Sequence, residues 1–207
     1  MVVPFKNEEY FDKWALDFNE LPDEYSYHMQ LIASEIKERL PKKKRLNILD
    51  LGTGSGRLLL ALDLPHNTYV GVDISNEQLI KAEKRFRARS IPFSFKKCDL
   101  EGNLPINGNS IDVLVSNASF HHIKNKQKVL NESYRILKKE GKIIIFDFYF
   151  GELDPNYLLK VSSIYSKNPK LAEQFNNSIK KEHELMPPYL EQTHPNEFHI
   201  SPTDLLN

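Results

Sequence analysis

The sequence predicts an α/β fold with a doubly wound, mostly parallel sheet that is covered by helices on both faces. First, apolar strand-like runs and helix-like runs alternate five times between residues 46 and 149, which is typical of parallel sheets with right-handed crossovers. Second, a glycine-rich turn at residues 52–56 joins an apolar strand to an apolar helix. Third, acidic residues follow successive strands, at the sheet edge where ligands of such folds bind.

Two helices are predicted before the first strand. The first carries aromatic residues at mostly helical spacing, which are Tyr10, Phe11, Trp14 and Phe18. The second carries an apolar stripe and stops at Pro41; its apolar residues are Met29, Ile32, Ile36 and Leu40. The basic run at residues 42–45 follows this helix, and we interpret it as a solvated connection in preference to an RNA contact.

The first strand, at residues 48–51, carries the carboxylate of Asp50 and leads into three alternating glycines, Gly52, Gly54 and Gly56. Glycine tolerates positive φ and has no Cβ, so the backbone can turn sharply and approach a ligand closely. The following helix presents free N–H groups at its N-terminus. The spacing differs from that of a dinucleotide fingerprint, because Arg57 stands where that motif has its last glycine. The loop predicts a site for a nucleoside-containing cofactor; a tight turn without a ligand is the alternative.

The second and third strands repeat this pattern of an apolar run followed by an acid. Residues 68–73 end in Asp73, and Ser75 with Gln78 forms a capping box that opens the next helix. Residues 93–100 contain Asp99 near their end. A carboxylate in such a place can accept hydrogen bonds from ribose hydroxyls, and a helix cap or turn residue is the alternative for each acid. Cys98 lies on this predicted strand and is interpreted as a buried, inert thiol.

The fourth and fifth strands complete the alternation. Residues 111–116 predict the fourth strand, which leads into Asn117 and then into His121 and His122. Residues 130–141 predict an amphipathic helix that is closed by a glycine, and residues 142–148 predict a buried strand.

Together these motifs resemble the class I S-adenosylmethionine-dependent methyltransferases over roughly residues 40–150. The resemblance rests on Asp-x-Gly-x-Gly-x-Gly at residues 50–56 and on the acids after the second and third strands. It also rests on Asn-Ala-x-x-His-His at residues 117–122, which is similar to the fourth motif of small-molecule methyltransferases. The Phe-Asp-Lys-Trp-Ala run at residues 11–15 is similar to the start of methyltransferases related to quinone biosynthesis. The implied fold is the Rossmann-like methyltransferase fold.

The resemblance implies S-adenosylmethionine as cofactor and S-adenosylhomocysteine as product. It implies that Asp73 binds the ribose and that Asp99 contacts the adenine amino group. Asn117 is expected either to bond the amino group of the methionine part or to shape the turn. The whole expected cofactor-binding set is Asp50, Gly52, Thr53, Gly54, Gly56, Asp73, Ile74, Asp99, Leu100 and Asn117.

Methyl transfer from a sulfonium is an in-line displacement, for which the protein mainly supplies proximity and alignment. It requires neither a metal nor a covalent nucleophile, and we expect no metal site. A general base helps only when the acceptor must lose a proton. His121 and His122 are the candidates for such a base. At most one of them is expected to face the substrate, and a structural histidine bonded to backbone is the alternative.

The sequence favours a small-molecule acceptor, although it does not name one. The Asn-Pro-Pro-Tyr cluster of amide and ring-nitrogen methyltransferases is absent, and Ser-Asn-Ala-Ser stands at residues 116–119 instead. An N-terminal lid would suit a planar or apolar acceptor, with packing in the core as the alternative for its side chains, which are Tyr10, Phe11, Trp14, Tyr25, Tyr27 and His28. Two competing hypotheses are an RNA-modifying methyltransferase and a non-catalytic module that binds S-adenosylmethionine or S-adenosylhomocysteine.

The composition restricts the partners. Basic and acidic residues number 28 each, so no global field attracts nucleic acid, and we expect no nucleic-acid partner. A single cysteine excludes an intramolecular disulfide and argues against a thiolate metal cluster. We find no leader-like segment and no apolar run of about 18 residues, so we expect a cytoplasmic protein without a membrane partner.

Three segments are expected along the chain. These are an N-terminal helical lid at residues 1–40, a cofactor-binding α/β core at 41–150 and a C-terminal helical segment at 151–207. The final pair of antiparallel strands of the family is expected to be missing, as in a truncated sheet. Because an open sheet edge invites pairing, we expect the C-terminal segment, a partner or a second copy to cover it.

Overall fold

The computed structural model describes residues 7–17, 24–42 and 45–147. Its strands are β1 (Asn47–Leu51), β2 (Thr68–Asp73), β3 (Phe93–Lys97), β4 (Ile111–Asn117) and β5 (Leu137–Phe146). Its α-helices are α1 (Asn7–Asp17), α2 (Glu24–Arg39), α3 (Arg57–Leu62), α4 (Asn76–Ala88) and α5 (Lys126–Ile136). A short 3₁₀ turn, Phe120–His122, follows β4.

The five strands form one parallel sheet in the order β3-β2-β1-β4-β5. The predicted fold class is therefore confirmed. Strand order reverses between β1 and β4, and ligands of open α/β sheets bind outside the carboxyl ends of the strands at such a reversal. The glycine loop after β1 and the 3₁₀ turn after β4 lie on the two sides of this point.

Apolar side chains pack on both faces of the sheet. One core contains Ile36 of α2, Leu59 of α3 and Phe86 of α4, each with no exposed surface. The other contains Leu114 of β4 and Val129 of α5. A fully buried side chain of this kind contributes about 1.5–3 kcal/mol, so these two layers fix the strand ends on which the site is built.

Local signals in the sequence define the start of α4 and the end of α2 as predicted, whereas α5 starts four residues before its predicted start at residue 130. Ser75 caps α4, since its Oγ accepts a hydrogen bond from the backbone N–H of Gln78 at 3.2 Å. Helix α2 ends at Arg39, two residues before Pro41. Asn125 caps α5 in the same way, accepting from the backbone N–H of Lys128 at 3.1 Å.

The predicted boundary between the last helix and the last strand is wrong. Helix α5 ends at Ile136, and Leu137 already has extended backbone angles, with φ −68° and ψ 141°. Leu137 pairs with Ile111, whereas Lys142 pairs with Val113, so residues 138–141 form a bulge. β5 is also less buried than predicted, with Ile143 37% exposed, because within the described residues it is an edge strand.

Other predictions fall outside the described residues. The C-terminal helical segment, the missing strands and the covering of the sheet edge concern residues beyond 147, which the structure does not describe. Among the described residues, no helix combines the length and the apolar character needed to cross a bilayer.

Candidate cofactor and active site

The loop after β1 takes a left-handed backbone at three positions, with φ of 71° at Gly52, 50° at Gly54 and 77° at Gly56. It is anchored to the neighbouring strand, since the N–H groups of Gly52 and Thr53 both donate to the carbonyl of Val72, at 2.9 and 3.0 Å. The loop is thus a fixed turn that leads from β1 into α3.

The three glycines differ in what surrounds them. A Cβ on Gly52 would lie 2.2 Å from Oγ of Ser119, and one on Gly56 would lie 3.1 Å from the Phe86 ring. A Cβ on Gly54 would have only Oε1 of Gln78 nearby, at 3.9 Å. Packing within the protein therefore requires Gly52 and Gly56, whereas Gly54 borders open space that a ligand can use.

Asp50 at the end of β1 and Thr53 in the loop carry buried polar atoms that are not satisfied. Asp50 is 2% exposed and Thr53 is 6% exposed, and within the described residues Asp50 Oδ1 and Thr53 Oγ1 have no hydrogen-bond partner of good geometry. Burial raises the pKa of Asp50 to about 8; the nearby Thr53 hydroxyl opposes the shift and the charge of Asp73 adds to it. A buried polar group without a partner costs about 1–3 kcal/mol, and such groups often mark function. A cofactor that carries an ammonium group and other donors fits this pair.

Asp73 connects the glycine loop to the start of α4. Its Oδ2 accepts from the N–H of Gly54 at 2.7 Å, and its Oδ1 accepts from the N–H of Ser75 at 2.9 Å. Burial raises the pKa of Asp73, and these hydrogen bonds oppose the shift. Asp73 therefore has the role of a turn residue, which the sequence analysis gave as the alternative for each acid. The ribose role stays a prediction, and each oxygen retains a further lone pair for it.

The third predicted acid lies outside a strand. β3 ends at Lys97, and Asp99 is exposed in the following turn, where its Oδ1 accepts from the N–H of Glu101 at 2.9 Å. Ile74, which follows β2, and Leu100, which follows β3, are half-buried. The adenine contact predicted for Asp99 and the cofactor contacts predicted for Ile74 and Leu100 stay predictions.

Cys98 lies one residue beyond β3 and is half-buried, not fully buried as predicted. Burial raises the pKa of its thiol, and the charges of Asp99 and Glu132 add to the shift. A raised pKa disfavours the reactive thiolate, in agreement with an inert cysteine.

The end of β4 is tied to the end of β1. Ser116 donates to the carbonyl of Leu51 at 2.8 Å, and Ser119 Oγ lies 3.2 Å from the carbonyl oxygen of Gly52. Asn117 Nδ2 lies 3.8 Å from Sδ of Met29 in α2, so α2 also reaches this end of the sheet. Ser119 was not among the predicted site residues.

The two predicted base candidates have different surroundings. His121 is buried, with its backbone N–H donating to Oδ2 of Asp147 at 2.9 Å and its Nδ1 2.6 Å from Oδ1 of the same carboxylate. His122 is half-buried, and its ring lies against that of His121 with a centroid distance of 3.8 Å. Asp147 was missed by the sequence analysis, although it directly follows β5 and so shows the same signal as the earlier strand-end acids.

Helix α1 lies across the carboxyl ends of the strands. Asp12 Oδ1 accepts from Ser75 Oγ at 2.5 Å and from the N–H of Glu77 at 3.3 Å. Glu8 forms an ion pair with Lys97 at the end of β3. The Phe11 ring meets the His122 ring edge to face, with centroids 5.0 Å apart.

Helix α1 thus contacts elements that follow β2, β3 and β4, where the sequence analysis expected the lid. A lid motion stays a prediction. The predicted lid side chains of Trp14, Tyr25, Tyr27 and His28 lie outside the part of the chain that the structure describes in atomic detail.

Comparison with known proteins agrees with this geometry. The family model of a methyltransferase domain matches residues 42–193. The chain belongs to this family, the class I S-adenosylmethionine-dependent methyltransferases.

Among curated relatives, an uncharacterised methyltransferase of Bacillus cereus is 28% identical over 94% of this methyltransferase chain and 91% of its own length. An uncharacterised protein of Methanocaldococcus jannaschii is 33% identical over 65% of the chain. The human arsenite methyltransferase is 34% identical over 49% of the chain. The match spans 59% of the Methanocaldococcus protein and 30% of the human enzyme.

Solved structures show the same fold. A candidate S-adenosylmethionine-dependent methyltransferase of Methanococcus maripaludis superposes with a TM-score of 0.58 at 21% identity, over 87% of both chains. The complex between the Haloferax volcanii Trm112 methyltransferase activator and a candidate methyltransferase contains a chain with a TM-score of 0.58 at 29% identity. That match covers 71% of this chain and 62% of the other.

Proposed function

We propose that this methyltransferase transfers the methyl group of S-adenosylmethionine to a small-molecule acceptor bound between α1 and the ends of β1 and β4. When bound, the cofactor supplies an electrophilic methyl group on a sulfonium leaving group. Two observations carry the cofactor site: the open space beside Gly54, and the buried Asp50 Oδ1 and Thr53 Oγ1 atoms that have no hydrogen-bond partner within the described residues. A cofactor backbone can approach the glycine there, and its ammonium group would satisfy the buried carboxylate.

The other predicted residues are assigned around this centre. Asp73, adjacent to the glycine loop, would take the ribose hydroxyls. Ile74, Asp99 and Leu100 would border the adenine at the ends of β2 and β3. Asn117, at the end of β4, would face the methionine part of the cofactor. These assignments follow the strand order of the sheet, and each is open to the binding tests below.

A small acceptor is favoured over RNA because helix α1 lies across the strand ends and Phe11 of α1 contacts His122. A covered, partly aromatic space suits a planar or apolar molecule. Acids lie at this edge of the sheet, with Asp12 on α1 and with Asp73 and Asp99 at and after the ends of β2 and β3, whereas RNA binding needs a basic face. The relative named as an arsenite methyltransferase acts on a small molecule, which supports the same class.

The test compares two pools of possible methyl acceptors. The purified chain is incubated with methyl-tritiated S-adenosylmethionine and with either the low-molecular-weight fraction or the total RNA of the source cells. We expect label in the small-molecule fraction and not in RNA, and much less label with Gly54→Ala protein when the concentration of S-adenosylmethionine is near the wild-type Kd. Label in RNA alone would reverse the acceptor class. Binding of S-adenosylhomocysteine without label in either pool would support the non-catalytic module.

A protein partner is a second candidate, favoured by the similarity to a chain from the Trm112 complex. We expect light scattering of the purified chain to report a single species if no partner or second copy is needed. Aggregation that co-expression with a Trm112-like protein from the source organism suppresses would instead support a partner-dependent enzyme.

A further inference from the structure

Helix α1 is linked to Asp73 through a single residue, Ser75, which is completely buried. The backbone N–H of Ser75 donates to Oδ1 of Asp73 at 2.9 Å. The Ser75 hydroxyl accepts from the backbone N–H of Gln78 at 3.2 Å. Its own hydrogen is therefore available for the Asp12 carboxylate of α1, 2.5 Å away, because an ionised carboxylate only accepts. Ser75 thus connects a carboxylate of the sheet edge with a carboxylate of α1.

The same chain of contacts reaches the space proposed for the cofactor. The other oxygen of Asp73, Oδ2, accepts from the backbone N–H of Gly54 at 2.7 Å, and Gly54 borders open space. The proposed function assigns the ribose hydroxyls to the lone pairs of Asp73 that these contacts leave. A group bound at Asp73 is therefore connected to α1 through the two hydrogen bonds of Ser75.

The carboxylates of Asp12 and Asp73 disfavour each other when α1 lies on α4. Burial raises the pKa of Asp73; the hydrogen bonds from Ser75 and Gly54 oppose this shift, and the charge of Asp12 adds to it. The position of Asp12 therefore disfavours the ionised form of Asp73. Ribose hydroxyls that donate to Asp73 favour its ionised form, so they reduce the cost of holding Asp12 nearby. Cofactor binding and docking of α1 on α4 should consequently favour each other.

The position of α1 also determines where Phe11 lies. Asp12 holds the helix on α4 through Ser75 and the backbone N–H of Glu77. One residue earlier, the Phe11 ring meets the ring of His122 after β4, with centroids 5.0 Å apart. The proposed function places the acceptor at this end of β4. Movement of α1 away from α4 would therefore carry Phe11 away from the acceptor space.

We propose that Asp12 and Ser75 are positioning residues that couple the cofactor site to helix α1, so that a cofactor bound at Asp73 tightens α1 and fixes Phe11 beside the acceptor space. This inference rests on the proposed function, since it adds a conformational response to the same site. Neither residue touches the reacting atoms. Coupling between two sites is reciprocal and typically changes affinity by about 5–150-fold. Because Phe11 is fixed only when the cofactor is bound, the enzyme should bind its cofactor before its acceptor.

The decisive experiment measures deuterium exchange in residues 8–17 of α1, without ligand and with saturating S-adenosylhomocysteine. The measured quantity is the factor by which the ligand slows exchange in the wild type, in Asp12→Ala and in the control Glu9→Ala, at an exposed position of α1. We expect slowing of at least about fivefold in the wild type and in the control. In Asp12→Ala exchange should be faster, and the ligand should no longer slow it. A purely structural role of Asp12 would accelerate exchange equally with and without ligand and leave the slowing unchanged.

Ser75→Ala should lose the slowing in the same way, although it also removes the N-cap of α4. Its control is Asn125→Ala, which removes the N-cap of α5 and leaves Ser75 in place. We expect this control to retain the slowing in α1. Loss of the slowing in both variants would show that a weakened helix cap, and not the contact with Asp12, is the cause, and would overturn the role of Ser75.

Calorimetric titration gives the affinity of the same proteins for S-adenosylhomocysteine. Because coupling is reciprocal, the affinity of Asp12→Ala should fall by the factor by which the ligand slows exchange in the wild type. Equal slowing in the wild type and in Asp12→Ala, or binding to the wild type without slowing in α1, would overturn the coupling and leave the cofactor site intact. A wild type that does not bind the ligand would refute the proposed function and the coupling together.

Discussion

At the scale of single residues, some residues at the ends of the strands are required by packing within the protein. Others are not explained by contacts among the described residues. Gly52 and Gly56 are dictated by contacts with Ser119 and Phe86. Gly54 and the carboxylate of Asp50 have no such reason within the described residues. We propose that a bound cofactor accounts for both residues.

The two glycines Gly54 and Gly56 should respond differently to alanine. In Gly54→Ala the new methyl group meets, beyond its chain neighbours, no atom of the described residues closer than 3.9 Å, so the main opposing cost is the left-handed backbone, at about 1–2 kcal/mol. We expect it to fold and to bind S-adenosylhomocysteine at least about tenfold more weakly, a loss of about 1.4 kcal/mol. Gly56→Ala adds contacts at 3.1 Å with Phe86 and 3.2 Å with Ala82, and overpacking costs a further 1–3 kcal/mol or so.

Calorimetric titration with S-adenosylhomocysteine measures the affinity of both variants, and thermal unfolding measures their stability. Gly54→Ala should mainly lose affinity, and Gly56→Ala should mainly lose stability. Unchanged affinity in Gly54→Ala would mean that no ligand occupies the space beside Gly54.

Asp50 should make stability depend on pH. The pKa of Asp50 is about 8 in the folded chain against 3.8 for an ordinary Asp, so the folded state binds more protons between these values. The free energy of unfolding therefore falls as pH rises through this window, by up to about 1.4 kcal/mol per pH unit. Asp50→Asn should unfold at a higher temperature than the wild type near pH 8, and the difference should shrink toward pH 4.

The measurement is Tm against pH, with Asp63→Asn, an exposed acid at the end of α3, as control. Parallel wild-type and Asp50→Asn curves would show that Asp50 is ionised in the folded protein. If Asp50 also holds the cofactor, the stabilised variant should bind S-adenosylhomocysteine more weakly, which is the usual conflict between stability and a functional site.

At the scale of elements, helix α1 is held over the site by a few polar contacts. One of them joins two helices, because Asp12 of α1 accepts from Ser75 and Glu77 at the N-terminus of α4. A negative charge in that position also interacts favourably with the helix dipole. The Asp12 carboxylate is therefore one of the groups that anchor α1 to α4, together with the carbonyl of Ala15, which accepts from Lys81.

Asp12→Ala should loosen α1 without unfolding the sheet. Hydrogen bonds to charged groups contribute about 1.5–3 kcal/mol, so amide exchange in residues 8–17 should accelerate about 10–100-fold. Exchange in β1 and β4 should not change. Glu9→Ala, on an exposed position of the same helix, is the matched control. Equal exchange in the two variants would show that other contacts anchor α1.

At this scale, the sequence predicts the boundary of an element when the residues that determine the boundary lie close together in the chain. The extent of β2 and the cap at Ser75 were predicted because their signals lie within a few residues. The end of α5 was not, because it depends on Leu137 pairing with Ile111 of a distant strand. The Asp147–His121 contact was missed for the same reason, since it requires the ends of β4 and β5 to lie side by side. The acids at the strand ends were identified from the sequence, but their hydrogen-bond partners were not.

At the scale of the whole molecule, the strand order explains why residues from distant parts of the chain meet. The parallel sheet β3-β2-β1-β4-β5 brings the carboxyl ends of all five strands to one edge. The glycine loop, Asp73, His121 and Asp147 therefore lie along that edge, and α1 crosses it. Membership of the methyltransferase family agrees with this placement, so the central claim is a cofactor site at this edge.

The most direct test of that claim is thermal unfolding with and without S-adenosylmethionine and S-adenosylhomocysteine, for the wild type and for Asp73→Asn. A ligand at 100 times its Kd stabilises by about 2.7 kcal/mol, which corresponds to a rise of about 5–10 °C in Tm for a chain of this size. We expect this rise for the wild type and its loss in Asp73→Asn, with cooperative unfolding retained. No rise in the wild type, or an equal rise in both proteins, would contradict it.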